Sequence, residues 1–449
     1  MLQKYFSLIV LSSLLFLLSS SVSGAIFIVT KAVDTNDGVC DSDCSLREAV
    51  AAANAGSDTE DVIVFSPVIS DVPLDMNNGE MQILSGNSIA ILGFGADHLT
   101  VQRTIHLQDR FFYVEPGASL AITGMTLTGG TGTGASGGGG AIMNRGTLLA
   151  DGIFFYKNVS FGSPAGGGGL MAMSDGPTTI RNSSFSENGA AAGAGLNCDN
   201  NFGNDTGPIF IINSTFSNAN PNNLQFREGN VKSTCDTTFQ NSTITSNLIY
   251  GSGFLFLRNT VAANISSNSA DSDGSNIITV ASGFSPAPGD QVGVNPMLGP
   301  FQLNGGRMPT YALLAGSPAI DAGKNSTAAA LPFDQRGFLR IVDGNGDTNA
   351  VVDIGAYEYL STAPMVKSVS VGGQVVSATG VPYFRANVTL IDIHGVSHSA
   401  LTNSFGYYSF SNIAPDEYCA LIVSAKRGRF KMQVINSGLG LSNVNFTSN

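Results

Sequence analysis

The stretch DGNGDTNAVVD sets oxygen-bearing side chains at Asp343, Asn345, Asp347 and Asn349, with Asp353 beyond. Alternating Asp and Asn among small residues is the donor pattern of a calcium loop, which wraps a hard cation in oxygens. The closing acid stands eleventh, one place short of the helix–loop–helix calcium pattern, so a structural calcium ion and a plain acidic turn both stay open. No other cofactor is called for. A second set, Asp199 and Asp205 with Lys232 or Arg227, could support cation-assisted β-elimination on a uronate, in which a base removes an acidified proton. Ordinary loop acids are the commoner explanation. Of four histidines none lies between residues 107 and 393, which excludes a nucleophile–histidine pair there but leaves a carboxylate-only glycosidase open.

Other motifs carry less. GTGASG (132–137) and GASGG (134–138) fit phosphate-cradle and nucleophile-elbow patterns, but no helix pattern follows either, and both devices need one. His394 and His398 stand four apart in a glycine-bearing, strand-rich context, which reads as a hairpin turn rather than a helical metal pair. Cys40 and Cys44 lack histidine partners for zinc and read as a disulfide by proximity. Cys198 and Cys235 can pair if the fold brings them together, and Cys419 stands alone. Directly after Cys44, Ser45 and Glu48 form a capping box ahead of LREAVAAANA, an amphipathic helix.

These residues need a scaffold. Residues 1–24 have the layout of a secretory signal peptide: one lysine, an apolar and serine run, then small residues. An exported chain without a membrane span after cleavage is therefore expected, secreted or at the cell surface. Charged residues are 12%, glycines number 54, and helix formers are few, which indicates an all-β protein. A net charge of -12 argues against nucleic acid and anionic membrane as partners, since both need clustered Lys and Arg.

A repeat organises residues 120–262. Segments such as AITGMTLTGG, LADGIFFYKN, IRNSSFSEN, IINSTFSNA, FQNSTITSN and LRNTVAAN share an apolar residue, a turn residue, small residues and another apolar one. The leading apolar residue is read at Ile122, Leu149, Ile180, Ile211, Phe239 and Leu257, in steps of 27, 31, 31, 28 and 18. Glycine clusters GGGGAI, GGGGLM and AGAGLN run in phase. Repeats of this length with short strands predict a parallel β-solenoid. Asn182, Asn213 and Asn241 share one register and are expected at one corner, where Asn tolerates the left-handed conformation and its amide can bond the next turn. The chain holds nine N-x-S/T sequons; three fall on this corner, which favours a structural over a glycosylation reading.

Here the chain resembles bacterial secreted right-handed, single-stranded parallel β-helix proteins of the pectate-lyase-like type. NDGVCDSDCSLREAVAAANAGSDTEDVIVF looks like the CSLREA domain. GDQVGVNPMLGPFQLNGGRMPTYALLAGSPAIDAG with DQRGFLRIVDGNGDTNAVVDIGAYEY looks like the choice-of-anchor Q domain, which implies closure of the helix end. GGQVVSATGVP and TNSFGYYSFSNIAPDEY resemble the carboxypeptidase regulatory-like module, implying a small Ig-like β-sandwich. The expected division is a signal peptide (1–24), N-terminal cap (25–68), parallel β-helix (69–288), C-terminal cap (289–360), linker (361–368) and sandwich (369–449).

Enzymes share this fold, so function must come from sites. Polygalacturonase-like sites use clustered aspartates and Gly-His-Gly, and the sequence has no adjacent Asp pair and no such segment; the pectate-lyase-like Arg-x-Pro-x-x-Arg is approached only by Arg307 and Pro309, with Ala312 at the second Arg. The leading expectation is a non-catalytic surface or extracellular protein binding polysaccharide or a matrix protein, an adhesin in kind. A divergent polysaccharide lyase or glycoside hydrolase is the alternative, and a structural stalk the third.

Overall fold

The computed structural model describes residues 24–448, apart from 57–59, 105–108, 134–137, 162–165, 174–175, 200–206, 218–230, 251–252, 365 and 427. The expected signal peptide, Asp205, Arg227 and most of GTGASG and GASGG lie outside these. The protein is all-β: among the described residues the only α-helices are Leu46–Ala55 and Asn325–Ala328. No described helix is long and apolar enough to cross a membrane.

Most strands stack in parallel, each on the strand one turn later, in a β-helix-like manner. Three ladders result. One runs through Met81–Ile83, Phe112–Val114, Ile142–Asn144, Leu170–Ala172, Leu196–Cys198 and Val231–Ser233. A second starts at Ile26–Val29 and Glu60–Phe65 and continues through Thr178–Arg181, Ile209–Ile212, Thr237–Gln240 and Leu255–Arg258. The third includes Leu74–Asp75, Thr100–Gln102, Ser184–Ser186 and Thr215–Phe216. Because residues two apart share a face, alternate residues of each ladder point inward and stack in columns. Met81, Phe112, Ile142, Leu170, Leu196 and Val231 form such a column, all buried. Phe155, Phe185 and Phe216 form another, their rings stacked at 4.3 Å in both steps.

The register corrects one position of the repeat. Ile122 pairs with Ala150, not Leu149, and Ala150 pairs with Ile180. A one-residue slip reverses which face a side chain meets. Ala150 therefore fills the core while Leu149 points outward, where it packs against the C-terminal sheet.

The N-terminal end of the stack is covered by the helix Leu46–Ala55. Leu46, Ala49, Val50 and Ala53 join the same buried core as Val29, Ile63 and Met81. Ser45 Oγ accepts from the Glu48 amide at 3.1 Å and Glu48 Oε2 from the Ser45 amide at 2.7 Å, the reciprocal geometry of a capping box. Cys40 and Cys44 are bonded, with Cα atoms 4.6 Å apart.

Residues 369–448 form a three-stranded and a four-stranded sheet around their own core. The four-stranded sheet lays Ile391, Ala420, Ile422 and Val434 against Val62, Val64, Ala90 and Leu92 of the second ladder. Both faces of Tyr418–Ser424 are thereby buried, which is why YCALIVS runs apolar without alternation.

Glu48 yields a test. Burial alone would raise its carboxyl, but hydrogen bonds from the Ser45 amide, Thr35 hydroxyl and Asp37 amide, with Lys31 Nζ 3.5 Å away, outweigh that and lower it to about 2. The unfolded carboxyl titrates near ~4.3, so the stabilisation is complete above that pH and is lost as pH falls toward the folded value. Glu48→Gln should destabilise the protein at pH 7 by on the order of 2 kcal/mol in chemical denaturation, with a smaller difference from wild type at pH 3.

Candidate functional site

One corner of the stack, between the second and third ladders, collects most of the polar chemistry. Gly124, Gly152, Asn182, Asn213, Asn241 and Asn259 stand there in succession with φ of 58, 66, 47, 55, 47 and 47°. Only residues that tolerate the left-handed region turn the chain here at low cost. Asn182 Nδ2 donates to Asp151 Oδ1 at 2.7 Å, and Asn213 Nδ2 to Asn182 Oδ1 at 2.7 Å. The column does not continue into Asn241. Arg340 Nη2 donates to Asn213 Oδ1 at 2.5 Å, and the buried Asn241 amide has no hydrogen-bond partner among the described residues.

The residue after each asparagine makes an inner column that sequence reasoning missed. The Ile153 amide donates to Ser183 Oγ, the Ser183 amide to Ser214 Oγ and the Ser214 amide to Ser242 Oγ, at 3.1–3.2 Å. The recurring Asn-Ser pair was the available signal: Asn turns the corner and Ser bonds the neighbouring turn.

Within the segment expected as a C-terminal cap, Gln291–Val292 stacks on Ile277–Ile278, and residues from Arg307 to Arg340 contact this flank. Gln335 bridges two turns, donating to Ser184 Oγ at 2.7 Å and accepting from Thr215 Oγ1 at 2.5 Å. Arg336 pairs with Asp334 through two nitrogens and lies between the rings of Phe338 and Tyr357. Arg340, fully buried, pairs with Glu358 at 3.7 Å. Burial raises Glu358 to about 9 and the neighbouring Asp353 to about 6.

In the loop 343–353 the side chains of Asp343, Asn345 and Asp347 accept hydrogen bonds from nearby amides: Asp343 from Gly346 and Thr348, Asn345 from Asp347, and Asp347 from Asn349. Asp353 is buried and accepts from the amides of Asp321 and Tyr359. Among the described residues no group of three or more His, Cys, Asp and Glu is disposed to hold a metal ion. The oxygens face their own backbone, as in a chain of Asx turns. Cys198 and Cys235 are bonded, with Cα atoms 6.0 Å apart, so this bridge staples adjacent turns. Lys232 pairs across the ladder with Asn197, two residues from Asp199. His394 and His398 face Glu417 at 3.7 Å and Asp392 at 3.6 Å from a strand pair.

A cavity of about 310 Å³ opens where the corner, the flanking segment and the C-terminal sheet meet. Its walls are largely apolar, including Phe94, Ile212, Phe333 and Ile435, with Asp151, Arg181, Arg307, Asp416 and Tyr418 at the polar positions. Asp151 is saturated: it accepts from Asn182, from Arg181 Nη2 at 2.7 Å and from the Tyr418 hydroxyl at 3.2 Å. Tyr418 lies over Gly152, where a Cβ would stand 2.3 Å from its hydroxyl. Burial, reinforced by the charge of Asp151, raises the Asp416 carboxyl against the pull of Asn436 and Arg307.

Asp151→Ala strands three donors at a buried seam and should cost on the order of 3 kcal/mol in chemical denaturation, whereas exposed Asp347→Ala should change stability by less than about 0.5 kcal/mol. Comparison with known proteins gives no matching family model and no matching curated protein.

Proposed function

We propose that this chain is an exported, non-catalytic protein acting at or outside the cell surface, wound as a right-handed single-stranded parallel β-helix of the pectate-lyase type. Its task is to bind carbohydrate or a matrix protein, and it requires no cofactor for that. The observation that carries this reading is the three-walled cavity, which sets apolar surface beside many polar and charged side chains, among them Asp151, Arg181, Arg307, Asp416 and Glu417, a mixture suited to a polar ligand with apolar faces. Its central carboxylate, Asp151, is spent on holding Arg181, Asn182 and Tyr418, which suits rigidity rather than proton transfer. Two disulfides support an oxidising location.

One observation favours a second reading, a lyase or hydrolase on acidic polysaccharide. Asp416 is raised while sharing the cavity with Asp151, and environments that push two acids apart are how an acid and a base are made from like residues. A bland stalk, the third reading, finds less support because the stack is flanked and roofed by other segments.

The deciding measurement uses the chain from Ala25 onward on acidic and neutral polysaccharides, following retention, unsaturated products and new reducing ends. Retention without product is expected, weakened about tenfold by Arg307→Glu, which reverses a half-exposed charge at the cavity mouth. Product formation that disappears in Asp416→Asn would replace the binding reading with the enzymatic one.

A further inference from the structure

The charge of the chain is unevenly spread. Residues 369–449 carry five Lys and Arg against three Asp and Glu, in a chain that holds 21 against 33. The strand register sorts these charges to opposite ends of the C-terminal sandwich. Asp392 pairs with Cys419, and Asp416 and Glu417 stand just before Tyr418, so all three acids lie at the end that borders the cavity. Asn387 pairs with both Leu401 and Ser424, which places the loops beyond those residues at the other end.

Three loops meet there. The Tyr383 ring stands edge-on to Phe430 at 5.3 Å, and a Cβ on Gly428 would be 2.5 Å from its hydroxyl. Pro382 lies against Gly406, and the Thr402 hydroxyl donates to the Tyr383 carbonyl at 2.6 Å. The outward side chains of these loops are of two kinds. Phe384 and Phe405, 65% and 68% exposed, are the two most exposed phenylalanines among the described residues, and Val381, Leu401 and Tyr407 are exposed on the same loops. Arg385, Lys426 and Arg429 are exposed as well, and none forms an ion pair with a described residue.

The two kinds together decide the partner. Unpaired cations select an anionic one. Sugar chains are held by flat aromatic faces and hydrogen bonds, neither of which Val381 or Leu401 supplies. A lipid interface rewards both kinds, taking apolar side chains into its acyl boundary and cations onto its headgroups. We infer that this end of the sandwich docks on an anionic lipid surface, with Val381, Phe384 and Phe405 inserted and Arg385, Lys426 and Arg429 on the lipid phosphates. Asp392 lies at the far end of the six-residue strand from Asn387, about 17 Å away by the rise per residue. Screening at physiological salt acts over about 8 Å, so the cations of the loops set the field that a headgroup meets. The surface is separate from the cavity and stands whether or not that cavity takes a ligand.

Cosedimentation of residues 25–449 with vesicles tests this, using phosphatidylcholine alone and phosphatidylcholine with about one third phosphatidylglycerol, in about 0.1 M and about 0.5 M salt. The expected result is binding to the mixed vesicles at low salt, at least about tenfold weaker on phosphatidylcholine alone or at high salt. Phe384→Ser with Phe405→Ser, and separately Lys426→Glu with Arg429→Glu, should each weaken binding about tenfold with an unchanged circular-dichroism spectrum. Phe254→Ser, at an exposed position on the stack, should leave it intact. Absence of binding to the mixed vesicles, or binding that survives either double variant, would overturn the inference; survival in the phenylalanine pair alone would mean adsorption by charge, as to any acidic polymer.

Discussion

Each turn of a parallel stack must offer the next turn the same hydrogen-bonding groups in the same place, and the corner between the second and third ladders is where that demand is hardest to meet. The backbone there enters the left-handed region, so the side chain is restricted to Gly or Asn, and the amide that remains has to find a partner above or below. The column Asp151–Asn182–Asn213 answers this with bonds of 2.7 Å, while Ser183, Ser214 and Ser242 satisfy the adjacent amides. Buried polar groups of this kind are costly when unpaired, which makes the bonded turns from Asp151 to Asn213 a register key, one that stops short of the Asn241 side chain.

The same corner recruits the rest of the chain. Arg340 ends the asparagine column, and Gln335 clips the hydroxyls of two turns, so the segment 305–359 lies on the flank through polar contacts rather than an apolar face. Two arginines are buried beside acids here: Arg336 with Asp334 and two rings, Arg340 with Glu358. The C-terminal sheet is attached differently, by an apolar patch on the outer face of the first turns, with Tyr418 and Asp151 as the polar link. Three bodies so held leave a cavity at their common seam.

Much of this was legible because stacking imposes a period on sequence. Repeated apolar–Asn–Ser segments about thirty residues apart identify a corner, and Ser45 with Glu48 spell a helix start within four residues. The miss at Leu149 shows the limit. Periodicity picks the larger apolar residue, whereas register admits Ala150 to the core and turns Leu149 to a surface that another sheet covers. The uninterrupted runs DVIVF and YCALIV hinted that both faces of those strands are buried, but not by what.

What the sequence by itself determined is therefore local and periodic: strand class, corner residues, the cap and the neighbouring cysteine pair, each set by contacts between residues close in the chain or repeated along it. Only the tertiary structure decided where non-repeating segments lie. Residues from Arg307 to Arg340 lie on the flank of the turns, the side chains of Asp343, Asn345 and Asp347 accept from neighbouring loop amides, and the C-terminal sheet roofs the corner. Those outcomes depend on surface complementarity between segments far apart in the chain, such as Asp151 with Tyr418, separated by 267 positions, and Glu60 with Met432, separated by 372. No period or motif encodes a contact of that kind, because it exists only once both surfaces have formed.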